Sequence, residues 1–337
     1  MRVRPAPRLP SVSGSGSLPA VTRTPATRSP WRRQHSAPWL WQGGGVPTMY
    51  VTDLDGTLLA PTGDVSPFTA DAVATLQRAG VLITCATARS WLSTSRILGD
   101  LRFGVPVVLY NGILTYDAVD GTTLDRHALP DDVVRAAIEV CRAQGCPPLV
   151  FRVDDDGQER VSWVRAARNA GVESFWDDRP ADPRNDPLGD WGDLPTSGVF
   201  IVQCIGGSGE MQALAASIRA VVGDRAVVNA HPDTYHPEEI WLEVAPAGTS
   251  KAVAVRALAD RLGADRIVVF GDNLNDLPMF AIADEAYAVG NAVAEVRRAA
   301  TAVIASNADD GVARWLLANA VRPVSDAGGP SDLGVPS

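Results

Sequence analysis

The stretch Met49-Tyr50-Val51-Thr52-Asp53-Leu54-Asp55-Gly56-Thr57 decides how this chain is read. Four β-prone residues run directly into two acids, and a glycine then breaks the strand. In extended backbone Asp53 and Asp55 would point the same way, where two carboxylates can share a cation. Two like charges that close raise each other's pKa unless a cation neutralises them, and such charge conflicts gather at active sites. Two plainer readings compete. An Asp-Gly turn needs no chemistry, and a D-x-D calcium loop would need glycine at its sixth position, where Leu58 stands.

Outward from this strand the pattern alternates. Apolar runs at 49–52, 81–86, 105–110, 266–270, 286–289 and 302–305 read as buried strands. Helical segments fall between them at 67–79, 89–99, 250–262, 275–283, 291–300 and 310–320. The alternation predicts an α/β fold, a Rossmann-like, doubly wound parallel sheet, with ligands beyond the carboxyl ends of its strands. From Asp120 to Glu239 the alternation is interrupted by further helices (131–143, 210–222), further strands (149–153, 161–164, 199–204, 226–229) and an acidic, proline-rich loop (177–195). This predicts an inserted α+β cap domain over 120–239, leaving a discontinuous core of 48–119 and 240–322. The Ser-, Pro-, Gly- and Arg-rich leader 1–47 and the tail 323–337 lack hydrophobic periodicity and are expected to be disordered, with translation starting at Met49.

Composition narrows the function. The net charge is −9, yet every acid lies at or after Asp53 while seven arginines precede it, so the folded body is more acidic than the total. An acidic body argues against nucleic acid as the main partner. No apolar run approaches the roughly 20 residues that span a bilayer, and no secretory apolar segment is present. The four cysteines form no C-x-x-C pair, which fits reduced thiols in a cytoplasmic protein.

Three further places carry candidate chemistry. Thr87-Ala88-Arg89 follows an expected strand, where a hydroxyl and free amides would suit a phosphate, or where Thr87 simply caps a helix. Lys251 is the only lysine in a chain that otherwise uses arginine, and it follows Thr249-Ser250 in the first turn of an expected helix. A cation is disfavoured there by the macrodipole, which points to a need for a compact ammonium rather than a planar fork. Gly271-Asp272-Asn273-Leu274-Asn275-Asp276 places two more carboxylates at a strand end; Asp272 reads as a metal ligand, and Asp276 as a ligand neighbour or a helix cap.

In this order, D-x-D-G-T, Thr87, Lys251 and G-D-x-x-N-D resembles the haloacid dehalogenase (HAD) superfamily over roughly residues 49–320. The insertion between the Thr and Lys motifs resembles subclass IIB, the Cof-like and sugar-phosphate phosphatases. Tyr110-Asn111-Gly112, Val289-Gly290-Asn291-Ala292 and Asp310-Gly311-Val312-Ala313 are similar to further marks of that subclass; Ala88 departs from it, standing where glycine is usual. The resemblance implies a Mg²⁺-dependent phosphatase acting on small phosphorylated metabolites, sugar phosphates among them. Asp53 would form an aspartyl-phosphate and Asp55 would carry the proton, which calls for another anion beside Asp55. Mg²⁺ would be held by the Asp53 side chain, the Asp55 main-chain carbonyl and Asp272. Thr87, Ala88, Lys251 and Asn275 would hold phosphoryl oxygens, Asp276 would orient Lys251 or a water on the metal, and Asn111 and Arg89 would support them. The second Asp of the pair favours phosphoryl transfer over dehalogenation. A phosphosugar mutase on the same core, and a non-catalytic binding or regulatory protein, are the alternatives. For the leaving group the candidates are His231, Asp233, Tyr235 and His236, while Trp163, Trp176 and Trp191 are expected to pack. Nothing in the sequence sets the oligomeric state.

Overall fold

The computed structural model describes residues 46–232, 236 and 238–320. The tail, nearly all of the leader, Asp233 and Tyr235 lie outside the described residues. The strands of the first half are β1 (Thr48–Thr52), β2 (Leu82–Cys85), β3 (Val107–Leu109), β4 (Leu114–Asp117), β5 (Thr122–Arg126), β6 (Leu149–Val153) and β7 (Glu159–Val164). Those of the second half are β8 (Asn185–Leu188), β9 (Val199–Gly206), β10 (Ala226–Pro232), β11 (Ile240–Pro246), β12 (Arg266–Gly271), β13 (Glu285–Ala288) and β14 (Ala302–Val303).

The first sheet is parallel throughout, in the order β14-β13-β12-β1-β2. Its interior strand β1 is buried along its whole length, as a β-prone run covered on both faces must be. Helices Pro67–Arg78 and Gly311–Asn319 pack against one another, as do Lys251–Leu262 and Leu277–Ile282. From β1 the chain first winds outward to β2; it later returns on the other side as β12, β13 and β14. The strand order therefore reverses between β1 and β12, and the crevice beyond a reversal is where such sheets bind ligands. Register places Thr52 beside Phe270, so Asp53 and Gly271-Asp272 leave the sheet side by side.

The second sheet has the order β10-β11-β9-β6-β7-β8 and is antiparallel except for β7 with β8. Alternation sorts its two faces. Val150, Val202, Cys204, Leu242 and Val244 form one apolar core with residues of helices Asp131–Ala143 and Ser208–Val222, while Phe151, Gln203, Trp241 and Glu243 occupy alternating positions between them. β3, β4 and β5 make a small antiparallel sheet, bridged to the first through Ala86 and Val108.

Three sequence expectations change. The stretch 177–195 is not a loop throughout: it holds β8 and a single turn at Trp191–Asp193 capped by Asp190. Proline hid the strand, but Pro187 is tolerated because β8 is the edge of its sheet. Helix Ala170–Asp177, capped by Asn169, was not foreseen. Residues 240–246, expected in the returning core segment, pair instead as β11 in the second sheet. The tryptophan expectation stands for Trp163, which is buried 5.9 Å from Trp176 and donates to Asn185 Oδ1. Among the described residues no helix is long and apolar enough to cross a membrane.

Candidate active site

Asp53 leaves β1 with its amide still bonded to Phe270 O of β12, 3.0 Å away. The chain then winds into a tight turn over Leu54–Leu58, with Gly56 at φ +75°. This turn defeats the rule that residues two apart share a side, because that rule holds only in extended backbone. Asp53 turns inward and is buried, whereas Asp55 turns out. A shared cation between these two side chains is therefore not what the structure forms.

Asp53 instead meets Lys251. The Lys251 Nζ donates to Asp53 Oδ1 at 2.5 Å and to Asp276 Oδ1 at 2.8 Å, with the lysine only 1 % exposed. Ser250 caps the helix that Lys251 opens, accepting from Val253 N. The other Asp276 oxygen accepts the amides of Asp272 (2.9 Å) and Asn273 (3.1 Å), so this carboxylate ties the loop after β12 to the lysine. Asp276 occupies the N-cap position of the helix Leu277–Ile282, but its side chain makes no capping bond there. Asp272 accepts from Thr57 Oγ1 at 2.8 Å, which links the two strand-end loops directly.

Carboxylate oxygens of Asp53, Asp272 and Asp276 lie within 4.8 Å of one another. Burial pushes the Asp53 carboxyl up to about 7; Lys251 opposes the rise and Asp276 adds to it. Burial likewise raises Asp272 to about 6, against the hydrogen bond from Thr57. Burial lowers the pKa of Lys251, but the charges of Asp53 and Asp276 outweigh it and hold the ammonium well above its ordinary value. Three carboxylates thus face one cation. An all-oxygen donor set with surplus negative charge suits a hard divalent metal. Asp276 has both oxygens engaged, so Asp53 and Asp272 are the carboxylates best able to turn an oxygen to the metal.

Asp55 was expected to stand beside an anion; Asp272 is close enough for the charge of Asp55 to raise its pKa, but the direct partner of Asp55 is a cation. Its two oxygens accept from Arg89 Nε (2.7 Å) and Nη2 (2.6 Å) in a bidentate pair. Thr87 is fully buried, and its hydroxyl accepts from Arg89 N at 3.2 Å. It is not a helix cap: the following helix starts at Trp91, capped by Ser90. Ala88 beside it is exposed. Asn275 is exposed too and donates to Asn111 Oδ1 at 3.3 Å, joining the fourth motif to the turn after β3. His231 lies within β10, 3.9 Å from Glu243, and His236 is 3.6 Å from Asp178.

Two asparagines escaped assignment. Asn291 Nδ2 donates to Gly56 O at 2.7 Å and its Oδ1 accepts Asn307 N, while Asn307 Nδ2 donates to Leu59 O at 2.8 Å. Together they fix the loop that carries Asp53 and Asp55. Asn291 sits in a motif that the sequence marks, but Asn307 carries no local signal. Asp310 holds helix Pro67–Arg78 through Ser66 and Thr69.

The model for haloacid dehalogenase-like hydrolases matches residues 50–316, and the chain belongs to that family. It is 26 % identical over 283 residues to the 5-amino-6-(5-phospho-D-ribitylamino)uracil phosphatase YitU of Bacillus subtilis (strain 168), covering 80 % of this chain and 96 % of that one. An HMP-PP phosphatase of Escherichia coli (strain 55989 / EAEC) is 27 % identical over 247 residues, covering 73 % and 85 %. The fold is also that of the HAD subclass IIB sugar phosphatase BT4131, with a TM-score of 0.62 at 20 % identity, covering 80 % of this chain and 97 % of that one.

Proposed function

We propose that this protein is a Mg²⁺-dependent phosphatase, a phosphoric monoester hydrolase that acts on small phosphorylated metabolites through an aspartyl-phosphate. The observation that carries this reading is Lys251 bridging Asp53 and Asp276 next to Asp272, at the point where the strand order reverses. Asp53 attacks phosphorus: an Asp53 oxygen–phosphorus bond forms as the bond to the leaving oxygen breaks. Asp55 delivers its proton to that oxygen, then takes one from the water that hydrolyses the acyl phosphate and frees Asp53. Arg89 must release Asp55 for the first of these transfers. Lys251, Thr87, the Ala88 amide and Asn275 hold phosphoryl oxygens, and Asp276 keeps Lys251 in place. Mg²⁺, held by the Asp53 and Asp272 side chains with the Asp55 carbonyl, would neutralise charge between nucleophile and phosphate.

The second sheet and the helices packed on it are read as the cap, which meets the leaving group. Both curated relatives are named phosphatases, which supports hydrolysis over return of the phosphoryl group to a sugar, as a mutase would require. A binding protein on a retired fold would have lost an acid or the lysine, and here all are present and assembled. The four cysteines are free and buried, which suits a reducing compartment, and we place the enzyme in the cytoplasm.

The test is phosphate release from a panel of phosphorylated metabolites with Mg²⁺. Release should fall to background in excess chelator and return when Mg²⁺ is added back; undiminished release in chelator would refute the metal. Gly56 offers a second check. A Cβ there would lie 2.4 Å from Asp272 Oδ2, on backbone at φ +75°. Gly56→Ala should therefore weaken Mg²⁺ binding by roughly tenfold or more, through displacement of Asp272, and cost about 1–2 kcal/mol of stability. Calorimetric titration with Mg²⁺ and a thermal melt measure the two effects.

A further inference from the structure

The turn after β3 is strained and held from two sides. Tyr110, Asn111 and Gly112 all have positive φ (49°, 54° and 101°). Residues other than glycine keep such backbone only where the surroundings enforce it. On one side the restraints come from the active-site loops. Tyr110 N donates to Arg89 O (3.2 Å), Asn111 N to Thr87 O (2.9 Å), and Asn275 to the Asn111 side chain. A Cβ on Gly112 would lie 2.2 Å from Ser250 O, just before Lys251. The turn thus touches the segments that carry Thr87 and Arg89, Asn275 and Lys251.

The Tyr110 side chain reaches the other way, into the second sheet. Its hydroxyl donates to Glu159 Oε2 of β7 at 2.8 Å and accepts from Arg184 Nη1 at 2.9 Å. Arg184 is itself held by Asp182, with Nη2 2.5 Å from Oδ2 and Nε 3.0 Å from Oδ1. The ring packs 5.0 Å from Phe200 and 6.3 Å from Phe151. Burial is the first reason that the phenol stays protonated, with the charge of Glu159 next, and this keeps it a donor. The whole group is buried or nearly so, where a satisfied polar network specifies one geometry.

We infer that Tyr110 is a positioning residue that couples the seating of the cap to Asp55, through Arg89. The amide of Tyr110 holds the carbonyl of Arg89, and the Arg89 guanidinium occupies both oxygens of Asp55. Asp55 can deliver its proton to the leaving oxygen only when that guanidinium lets go. Its release therefore depends on where Glu159 and Arg184 hold Tyr110. The inference rests on the phosphatase and cap readings for its meaning, but the coupling itself can be read without turnover.

The experiment uses the full chain as Tyr110→Phe, Glu159→Gln and the double variant. Hydrogen exchange comes first. In Tyr110→Phe, peptides covering 86–92 and 110–113 should exchange several-fold faster, while the helix Asp131–Ala143 keeps wild-type protection. Under turnover with Mg²⁺, Tyr110→Phe should lower kcat about tenfold with KM changed less than about twofold, as misplacement of a reacting group does. Glu159→Gln should act in the same direction, and the double variant should be no worse than Tyr110→Phe alone. Wild-type exchange at 86–92, an unchanged kcat, or losses that add in full would each overturn the coupling. If the wild type releases no phosphate at all, the functional reading fails, and the exchange result still decides the coupling.

Discussion

Asp53→Asn should abolish Mg²⁺-dependent phosphate release, lowering turnover about 10³-fold or more, while the protein stays folded. The amide keeps the shape of the carboxylate but cannot form the acyl phosphate. Phosphate release that survives this change would sink Asp53 as the nucleophile. Stability gives an independent signature. Burial raises Asp53 from 3.8 to about 7, so the folded state binds this proton more tightly than the unfolded state. A group raised in this way contributes stability below about pH 4, and that contribution fades as pH rises through about 7. Metal-free wild type should therefore lose thermal stability between pH 5 and pH 8, and Asp53→Asn should lose less. Melting curves in chelator across that range check it. Equal slopes for the two proteins would mean that Asp53 ionises without cost, contrary to its burial.

How much of this was legible beforehand depends on what each feature needs. The parallel sheet could be read because β1 and β12 are continuous apolar runs, and because acids follow each at once. Lys251 could be read from composition alone, since a lone lysine among arginines marks a place where only an ammonium serves. The partner of Asp55 could not. Arg89 lies 34 residues away, and its side chain reaches Asp55 only because β1 and β2 are neighbours in register. The same holds for Asn307, whose bond to Leu59 O spans 248 residues and leaves no local pattern. β8 was hidden by its own proline, which composition reads as loop and only the edge position excuses. Motifs show the groups that do chemistry; the groups that hold them are set by topology.

The second large effect is expected at Lys251. Lys251→Arg preserves the charge and should still lower turnover by about 100-fold or more. The ammonium here makes two close bonds, to Asp53 Oδ1 and Asp276 Oδ1, in a site that is 1 % exposed. A guanidinium is larger and planar and carries five N–H donors in a fixed fork. Extra bulk in a packed interior costs typically 1–3 kcal/mol, and each buried N–H without an acceptor costs a similar amount. Asp276 cannot move to receive it, because its other oxygen already holds the amides of Asp272 and Asn273. The strain therefore falls on Asp53, the group whose placement matters most. Lys251→Met separates charge from shape: it fits the volume but leaves two buried carboxylates uncompensated, at a cost of about 3–5 kcal/mol. Lys251→Arg should thus melt above Lys251→Met yet share its loss of activity. Circular dichroism establishes that each variant is folded before phosphate release is measured. Near-normal turnover in folded Lys251→Arg would refute the claim that the shape of this cation, and not only its charge, is what the site requires.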